Sequence, residues 1–181
     1  LKSSRKIISV CATRTGCGKS QTTRRLMKIL KHLGKKVVAV RHAMPYGNLE
    51  KQKVQRFTTL EDLKNNDCTI EEMEEYEPYI EMKCTVYAGV DYEAILKEAE
   101  KEADIILWDG GNNDTPFYKP DLEIVVADPH RAGHELSYFP GEVNIRRAHI
   151  VIINKVDTAD YANVIKVRNN IIQVNPQAVI I

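Results

Sequence analysis

The stretch that most constrains the fold of this chain is residues 13–20, which read TRTGCGKS. It follows the apolar run 7–11 and opens a segment with helical spacing that starts at Ser20. A strand, a glycine-containing turn ending in Gly-Lys-Ser and a helix are the context in which this pattern predicts a phosphate-binding loop. We therefore expect a nucleoside triphosphate to bind at this turn.

The residue types of this loop match that chemistry. Gly16 and Gly18 let the backbone wrap so that N–H groups converge on phosphate oxygens, and the helix N-terminus adds partial positive charge. Lys19 is expected to reach the β- and γ-phosphates, and the Ser20 hydroxyl to ligate Mg²⁺. Thr13 stands where the usual pattern has its first glycine. The other residues predicted to contact nucleotide are Thr15, Cys17 and Gln21. The alternative is a glycine-rich turn ahead of an ordinary helix.

Short apolar runs recur along the chain and are nearly continuous, which is typical of strands buried on both faces of a parallel sheet. They are residues 7–11, 37–40, 85–88, 105–108, 124–127, 150–153 and 178–181. Helical patterns separate several of them. This alternation predicts one α/β domain over residues 1–181, with a doubly wound, mostly parallel sheet and helices on both faces. Ligands of such sheets bind beyond the carboxyl ends of the strands.

Three helices are predicted from the spacing of apolar residues. The first starts at Ser20, places Leu26, Leu30 and Leu33 on one face and ends at Gly34. The second covers residues 91–103, with an Asp91 cap and a Glu93–Lys97 pair, and the third begins near Thr158.

Residues 43–83 form a long connection with no obvious strand and an acidic second half. We interpret it as an insertion within the domain, either short helices with solvated faces or a mobile lid.

The composition excludes some classes of partner. A net charge of +1 over 181 residues indicates neither nucleic acid nor a membrane surface, and no apolar run approaches the length of a membrane span. No signal peptide is visible, which favours the cytoplasm. Because the chain begins with Leu1 and ends within a strand pattern, we expect it to be a fragment of a longer protein.

The four cysteines contain no C-x-x-C pair and no zinc spacing, so we expect reduced thiols. Cys17 lies inside the phosphate loop, where converging N–H groups are expected to lower its thiol pKa.

The strand at 105–108 runs into Asp109, Gly110 and Gly111. In a phosphate-loop fold this is the position of the Walker B carboxylate, which holds Mg²⁺ directly or through water. Asn112, Asn113 and Asp114 follow at once and are candidates for positioning water or a substrate hydroxyl. The alternative is an ordinary turn-forming aspartate.

The sequence Asn154-Lys155-Val156-Asp157 follows the strand at 150–153 and matches the N-K-x-D signature of GTP-binding proteins. The Asp157 carboxylate can accept two hydrogen bonds from guanine, for which adenine has no matching pair. Asn154 can contact the base edge or tie two loops together, and the Lys155 stem can lie over the ring. The alternative is a helix-capping loop.

Several basic residues lie in the phosphate loop or follow the strand ends. Arg14 lies in the phosphate loop and is either a finger that reaches a partner's phosphates across a homodimer or a solvated loop arginine. Arg41 and His42 follow the second strand, and His130 and Arg131 follow Asp128-Pro129. They are candidates for binding a second, anionic substrate.

The motifs at 10–20, 40–47, 108–114 and 128–131 together resemble the archaeal cyclic 2,3-diphosphoglycerate synthetase family, whose members are often described as predicted GTPases. The resemblance covers nearly the whole chain and implies the SIMIBI branch of phosphate-loop NTPases. It also implies that ATP and Mg²⁺ drive cyclisation of 2,3-bisphosphoglycerate. Carried over, Gly16, Gly18, Lys19 and Ser20 would bind triphosphate and metal, and Asp109 would order Mg²⁺. ATP use conflicts with the guanine recognition expected of Asn154 and Asp157.

These observations leave two functions open. The first is an enzyme that uses GTP or ATP, with Mg²⁺, for hydrolysis or phosphoryl transfer to a small phosphorylated acid; Lys19, Asp109 and Arg14 would be its catalytic residues. The second is a GTP-dependent switch or a metallochaperone-like GTP-binding protein. A Cys-Pro-His-like metal motif does not occur in the sequence.

Overall fold

The computed structural model describes residues 1–42, 44, 46–110 and 115–181. Its strands are β1 (Lys6–Ala12), β2 (Val37–Arg41), β3 (Gln55–Phe57), β4 (Thr85–Ala88), β5 (Ile105–Asp109), β6 (Leu122–Ala127), β7 (Ile150–Ile153) and β8 (Val179–Ile180). Its α-helices are α1 (Lys19–His32), α2 (Leu60–Asn65), α3 (Ile70–Glu81), α4 (Tyr92–Glu102), α5 (His134–Ser137), α6 (Gly141–Arg147) and α7 (Tyr161–Val174). A short 3-10 turn covers Pro129–Arg131.

The strands form an eight-stranded, mostly parallel sheet accompanied by helices, so the predicted α/β class is confirmed. The chain divides into two compact units. The first contains residues 1–7, 23–109 and 117–119, and the second contains residues 8–22, 110–116 and 120–181.

In the first unit, β2 pairs in parallel with both β4 and β5, and β3 pairs antiparallel with the outer side of β4. Its core is built from strand residues and from the inner face of α4, with Trp108 fully buried at the centre. Trp108 packs edge-on against Tyr92 and Tyr118, with ring centroids 5.2 Å apart in each pair. Aromatic rings favour this edge-to-face geometry because of their quadrupoles.

In the second unit, β6 pairs in parallel with β1 and β7, and β7 with β8. Its core joins Cys11 of β1, Val125 of β6 and Val151 of β7 to Val167 and Ile171 of α7. Strands buried on both faces require continuous apolar runs, as the sequence pattern indicated.

All seven predicted strands are present, and among the described residues the strand that was not predicted is β3. β3 has three residues and buries Gln55 and Phe57 while Arg56 is exposed, so it is too short to give a recognisable alternation. The expectation that residues 43–83 contain no strand was therefore wrong. The rest of that segment forms α2 and α3, each begun by a capping box, from Thr59 to Asp62 and from Thr69 to Glu72.

The predicted helices are also present. α4 is capped by Asp91, with Lys97 Nζ 2.7 Å from Glu93 Oε1, and α7 is capped by Asp160. α1 ends at His32, and Gly34 has the expected positive φ of 74°. Leu33 was expected on one helix face with Leu26 and Leu30, but it lies in the turn beyond the helix and is 65% exposed. The buried residues on α1 are Lys19, Thr23, Met27 and Leu30.

Within the described residues, helices of the length and apolarity needed to cross a bilayer do not occur. The single-domain assignment and a lid at 43–83 remain predictions. Gly111, Asn112, Asn113 and Asp114, named above as candidates, lie outside the described residues, as do Ala43 and Pro45.

Candidate functional site

The predicted phosphate loop lies in the second unit, between β1 and α1. Gly16 and Gly18 have φ values of +83° and +102°, a region that glycine enters without steric cost. The first turn of α1 is closed by Thr22, whose backbone N–H and side-chain hydroxyl both donate to Gly18 O at 3.0 Å. Lys19 is buried, Ser20 is half-buried, and Thr15, Gly16 and Gln21 are exposed.

The structure gives a physical reason for threonine at position 13. Its backbone N–H donates to Val126 O at 3.0 Å, and its hydroxyl lies 3.4 Å from Cys17 Sγ, a contact that spans the loop. Gly141, the first residue of α6, packs directly against the Thr13 backbone, where a Cβ would overlap the carbonyl oxygen. The hydroxyl of Thr13 thus connects the first residue of the loop to Cys17.

The prediction of a lowered pKa at Cys17 was wrong. Its side chain is only 1% exposed, and this burial raises the thiol pKa. Hydrogen bonds from Thr13 and from the Arg14 backbone offset the effect only in part. All four cysteines are buried and free, as expected of reduced thiols.

Asn154 connects the loop after β7 to the phosphate loop. Its Nδ2 donates to Cys17 O at 2.8 Å, which is the loop-tying role rather than the base-contacting one. Gly18 makes this approach possible, because a Cβ at that position would overlap Asn154 Nδ2. The glycine is therefore needed for a side-chain contact as well as for its positive φ.

Asp128 is a functional candidate that the sequence interpretation used only as part of a motif. Lys155 Nζ donates to Asp128 Oδ2 at 2.8 Å and to Gly16 O at 2.6 Å, so one ammonium links the end of β6 to the glycine turn. Arg14 Nη1 lies 3.3 Å from the same carboxylate oxygen. Burial alone would raise the pKa of Asp128, but the hydrogen bonds from Lys155 and the His130 backbone lower it below its usual value.

The remaining basic and acidic candidates of this unit lie near solvent. His130 Nε2 is 3.0 Å from Thr158 Oγ1, and Arg131 and Asp157 are exposed. The Arg14 side chain is 31% exposed and forms an ion pair with Asp128 of its own chain. The finger that reaches a partner's phosphates and the solvated loop arginine both remain predictions. An exposed carboxylate at 157 remains available for hydrogen-bond donors of a base.

Asp109, the predicted Walker B residue, lies in the first unit and is fully buried. Oδ2 accepts a hydrogen bond of 2.5 Å from the Tyr79 hydroxyl and an ion-paired hydrogen bond from Arg41 Nη1, and Oδ1 accepts from Thr23 Oγ1 at 3.3 Å. Burial and the Asp109 charge raise the pKa of Tyr79 well above its usual value, so the phenol is a neutral donor.

Arg41, a candidate for binding a second substrate, is 4% exposed, and its Nη2 also binds the Glu75 carboxylate of α3. Burial alone would lower its pKa, whereas Asp109, then Tyr79 and Glu75, raise it above the usual value. In this conformation the guanidinium therefore neutralises two protein carboxylates. The anion-binding assignment of Arg41 and His42 remains a prediction.

The donor types fit Mg²⁺, which prefers oxygen ligands such as a hydroxyl and an ionised carboxylate. The Ser20 hydroxyl of the second unit is a donor of this type. The Asp109 carboxylate of the first unit is another, although its oxygens accept hydrogen bonds from Tyr79, Arg41 and Thr23. Elsewhere in the described part of the chain, no group of three or more His, Cys, Asp or Glu side chains has a metal-binding arrangement.

One curated relative gives a specific comparison. The chain is 66% identical over all 181 residues to a protein of Thermococcus kodakarensis named arginine synthetase ArcE. The chain spans 40% of the length of that protein. No family model matches the chain.

Solved structures show the same fold at low identity. The hydrogenase maturation factor HypB of Archaeoglobus fulgidus is 17% identical with a TM-score of 0.62, over 98% of this chain and 80% of that one. HypB of Helicobacter pylori, solved with nickel, is 14% identical with a TM-score of 0.57, over 97% and 77%. MinD in the MinC:MinD complex of Aquifex aeolicus has 17% identity and a TM-score of 0.52, over 97% and 79%. The chain thus shares the fold of these solved structures, a mostly parallel α/β sheet of the phosphate-loop NTPase type.

Proposed function

We propose that this chain is the nucleotide-binding part of a synthetase that uses GTP or ATP, with Mg²⁺, to drive phosphoryl transfer to a small substrate. The observation that carries this proposal is the geometry of residues 13–20, with two glycines at positive φ ahead of a helix whose first turn holds Lys19 and Ser20. Backbone N–H groups and a helix N-terminus in this arrangement favour phosphate.

In this proposal each residue has a defined task. Lys19 binds the terminal phosphates and neutralises charge that develops during transfer. The Ser20 hydroxyl would hold Mg²⁺, which when bound neutralises phosphate charge, and Asp109 is a candidate metal ligand by the chemistry of its carboxylate. Lys155 and Asn154 keep the loop in its phosphate-accepting shape by binding the Gly16 and Cys17 carbonyls. Asp157 is the candidate for guanine selection.

The acceptor substrate is proposed from similarity. The name of the 66% identical relative supports an enzyme that has arginine as its product. The sequence motifs, by resemblance, support cyclisation of 2,3-bisphosphoglycerate instead. Identity over the whole chain is the stronger support, so we place the arginine-forming reaction first.

A GTP-dependent switch or metallochaperone-like protein is the second candidate, because Asn154-Lys155-Val156-Asp157 directly follows β7. A homodimer in which Arg14 reaches a partner's phosphates is part of either proposal. It requires the Arg14–Asp128 ion pair to open, and turnover per chain should then rise with protein concentration in the wild type but not in Arg14→Ala.

Nucleotide binding tests the proposal directly. Fluorescent GTP and ATP analogues should bind the 181-residue chain in the presence of Mg²⁺, and Lys19→Ala should abolish that binding. Lys97→Ala, an exposed change on α4, is the matched control. A thermal shift with nucleotide plus L-arginine, the proposed product, or 2,3-bisphosphoglycerate, the alternative substrate, then distinguishes the two reactions. Wild-type protein that binds neither nucleotide would refute the proposal, and GTP binding without any acceptor effect would favour the switch.

A further inference from the structure

Helices α1 and α3 lie next to each other in the first unit and carry charges of opposite sign. They are followed by β2 and β4, which are neighbouring parallel strands. Lys31 Nζ of α1 donates to Met82 O at 2.6 Å and to Lys83 O at 3.1 Å, at the end of α3. Residues 19–36 contain seven Lys and Arg and no Asp or Glu, whereas residues 70–82 contain six Glu and no Lys or Arg. The near-zero net charge of the chain therefore includes two adjacent helices of opposite sign.

The outer face of α1 is basic and partly apolar. Its side chains line a shallow surface cavity of about 360 Å³: Arg25, Lys28, Ile29, His32 and Leu33. All five are exposed, including 43% of Ile29 and 65% of Leu33. Exposed apolar area surrounded by charged residues is typical of a surface that binds another protein.

The outer face of α3 is complementary to this surface. Ile70, the first residue of the helix, is 74% exposed. The other outward positions hold glutamates that are exposed or half-buried: Glu71, Glu74, Glu77 and Glu81. A face with carboxylates and one apolar side chain matches a face with cations and two apolar side chains, because both charge and apolar area find a counterpart.

These two rows of charge are not neutralised by the part of the chain that the structure describes. Within that part, the three basic residues of the α1 face and the four glutamates of the α3 face take part in no ion pair. Spacings of three residues also place like charges side by side, as in Arg25 and Lys28 or in Glu71 and Glu74. Such pairs destabilise a helix, so each face gains from an oppositely charged partner.

Helix α4 of the same unit shows the contrasting arrangement. Lys97 Nζ lies 2.7 Å from Glu93 Oε1, one helical turn away. Lys101 Nζ lies 2.6 Å from Glu98 Oε1. The exposed charges of α4 are therefore paired on the helix itself, whereas those of α1 and α3 are segregated by sign.

We propose that the outer faces of α1 and α3 form a homodimer interface, in which α1 of each copy docks on α3 of the other. A two-fold axis along the boundary between the two helices places each basic face on an acidic one, so both contacts form together. Ile29 of one copy and Ile70 of the other then supply apolar area between the charges. All of these residues lie in the first unit, outside the phosphate loop, so this association requires no nucleotide.

Analytical ultracentrifugation of the nucleotide-free 181-residue chain tests this interface. At about 0.1 M salt the wild type should form a dimer whose fraction rises with protein concentration. At about 1 M salt the Debye length falls from about 10 Å to about 3 Å, and the dimer Kd should rise at least about tenfold.

Charge reversal identifies the two faces. Arg25→Glu with Lys28→Glu should raise the Kd at least about tenfold at low salt, because glutamates then face glutamates. Glu71→Lys with Glu74→Lys should have the same effect through facing cations. An equimolar mixture of these two double variants should dimerise again, since each reversed α1 face then meets a reversed α3 face.

Two controls separate this interface from general effects of charge. Lys97→Glu with Lys101→Glu makes the same charge change on α4 and should leave the Kd unaltered. Arg14→Ala should also dimerise as the wild type does, which distinguishes this dimer from the one in which Arg14 reaches a partner's phosphates. Circular dichroism monitors folding. Should a double variant not fold, Lys28→Glu and Glu74→Lys replace the two pairs in the same mixing experiment.

Three outcomes would overturn the proposal: a wild type that is monomeric at every concentration, a Kd that salt or either pair of reversals leaves unchanged, or a mixture of the two double variants that stays monomeric. Binding of a monomeric wild-type chain to duplex DNA or to phosphatidylserine vesicles would also overturn it, because the basic face of α1 would then serve a different partner.

Discussion

Tyr79 donates a 2.5 Å hydrogen bond to Oδ2 of Asp109, so helix α3 directly contacts the carboxylate that ends β5. Arg41 strengthens the connection because its guanidinium binds both Asp109 and Glu75 of α3. The 43–83 segment, expected to be a solvated insertion or a lid, is thus joined to the predicted Walker B residue by buried, charge-assisted hydrogen bonds, which are stronger than neutral ones.

Replacing Tyr79 with Phe should lower the free energy of unfolding by about 1.5–3 kcal/mol, the range for a hydrogen bond to a buried charged group. Urea denaturation followed by circular dichroism measures it. Tyr161→Phe, which removes a hydroxyl from a 75% exposed ring, should change the value by less than about 0.5 kcal/mol. Equal stabilities of wild type and Tyr79→Phe would show that the contact contributes nothing.

Gly18 and Asn154 should behave as a coupled pair. Gly18→Ala introduces both a strained φ of +102° and an overlap with Asn154 Nδ2. Asn154→Ala removes the overlap but loses the hydrogen bond to Cys17 O. In a double-mutant cycle on the free energy of unfolding, the double variant should be less destabilised than the sum of the two single variants, by about 0.5–3 kcal/mol. Strict additivity would argue against the close approach.

The ionised Asp128 carboxylate should stabilise the fold, so the free energy of unfolding should decrease when acid protonates it. Its folded-state pKa is lower than its unfolded-state pKa, so its contribution is fully present above about pH 4 and is lost as the pH falls through the folded value. The free energy of unfolding, measured from pH 6 to pH 2, should depend less on pH in Asp128→Asn than in wild type. Asp157→Asn, the same change at an exposed carboxylate, is the matched control. The same dependence of the free energy of unfolding on pH in Asp128→Asn and in wild type would contradict a stabilising interaction between Asp128 and Lys155.

Glu123 should have the opposite effect on the pH dependence of the free energy of unfolding. Its side chain is almost wholly buried, and burial raises its pKa, which Arg147 and His149 offset only in part. A raised folded-state pKa gives a contribution that is present below the unfolded value, about 4.3, and is lost as the pH rises through the folded value.

Glu123→Gln should therefore gain stability relative to wild type as the pH rises from 4 to 8, measured by chemical denaturation. Glu98→Gln, at a half-exposed carboxylate of α4, is the control. A difference between wild type and Glu123→Gln that is constant across this range would contradict the expected ionisation.

Local chemistry made much of this fold predictable. Seven of the eight strands were recognisable because a sheet buried on both faces needs unbroken apolar runs, and capping residues such as Asp91 and the glycine at 34 marked helix ends. Some short elements were not predicted from the sequence, because β3, α5 and α6 each have too few residues to show a hydrophobic period. Leu33 matched the helical period but lies beyond the end of the helix.

The sequence alone determined the class of the fold and predicted the phosphate loop, because the glycines, the lysine and the start of the helix follow one another directly in the chain. Only the tertiary structure decided which partners these residues have. Asp128 accepts a hydrogen bond from Lys155, and Asp109 accepts hydrogen bonds from Tyr79 and Arg41. Asn154 donates to the Cys17 carbonyl. These partners are 27 to 137 residues apart in the sequence. Burial also reversed the expected pKa of Cys17, since desolvation depends on neighbours that come from distant parts of the chain.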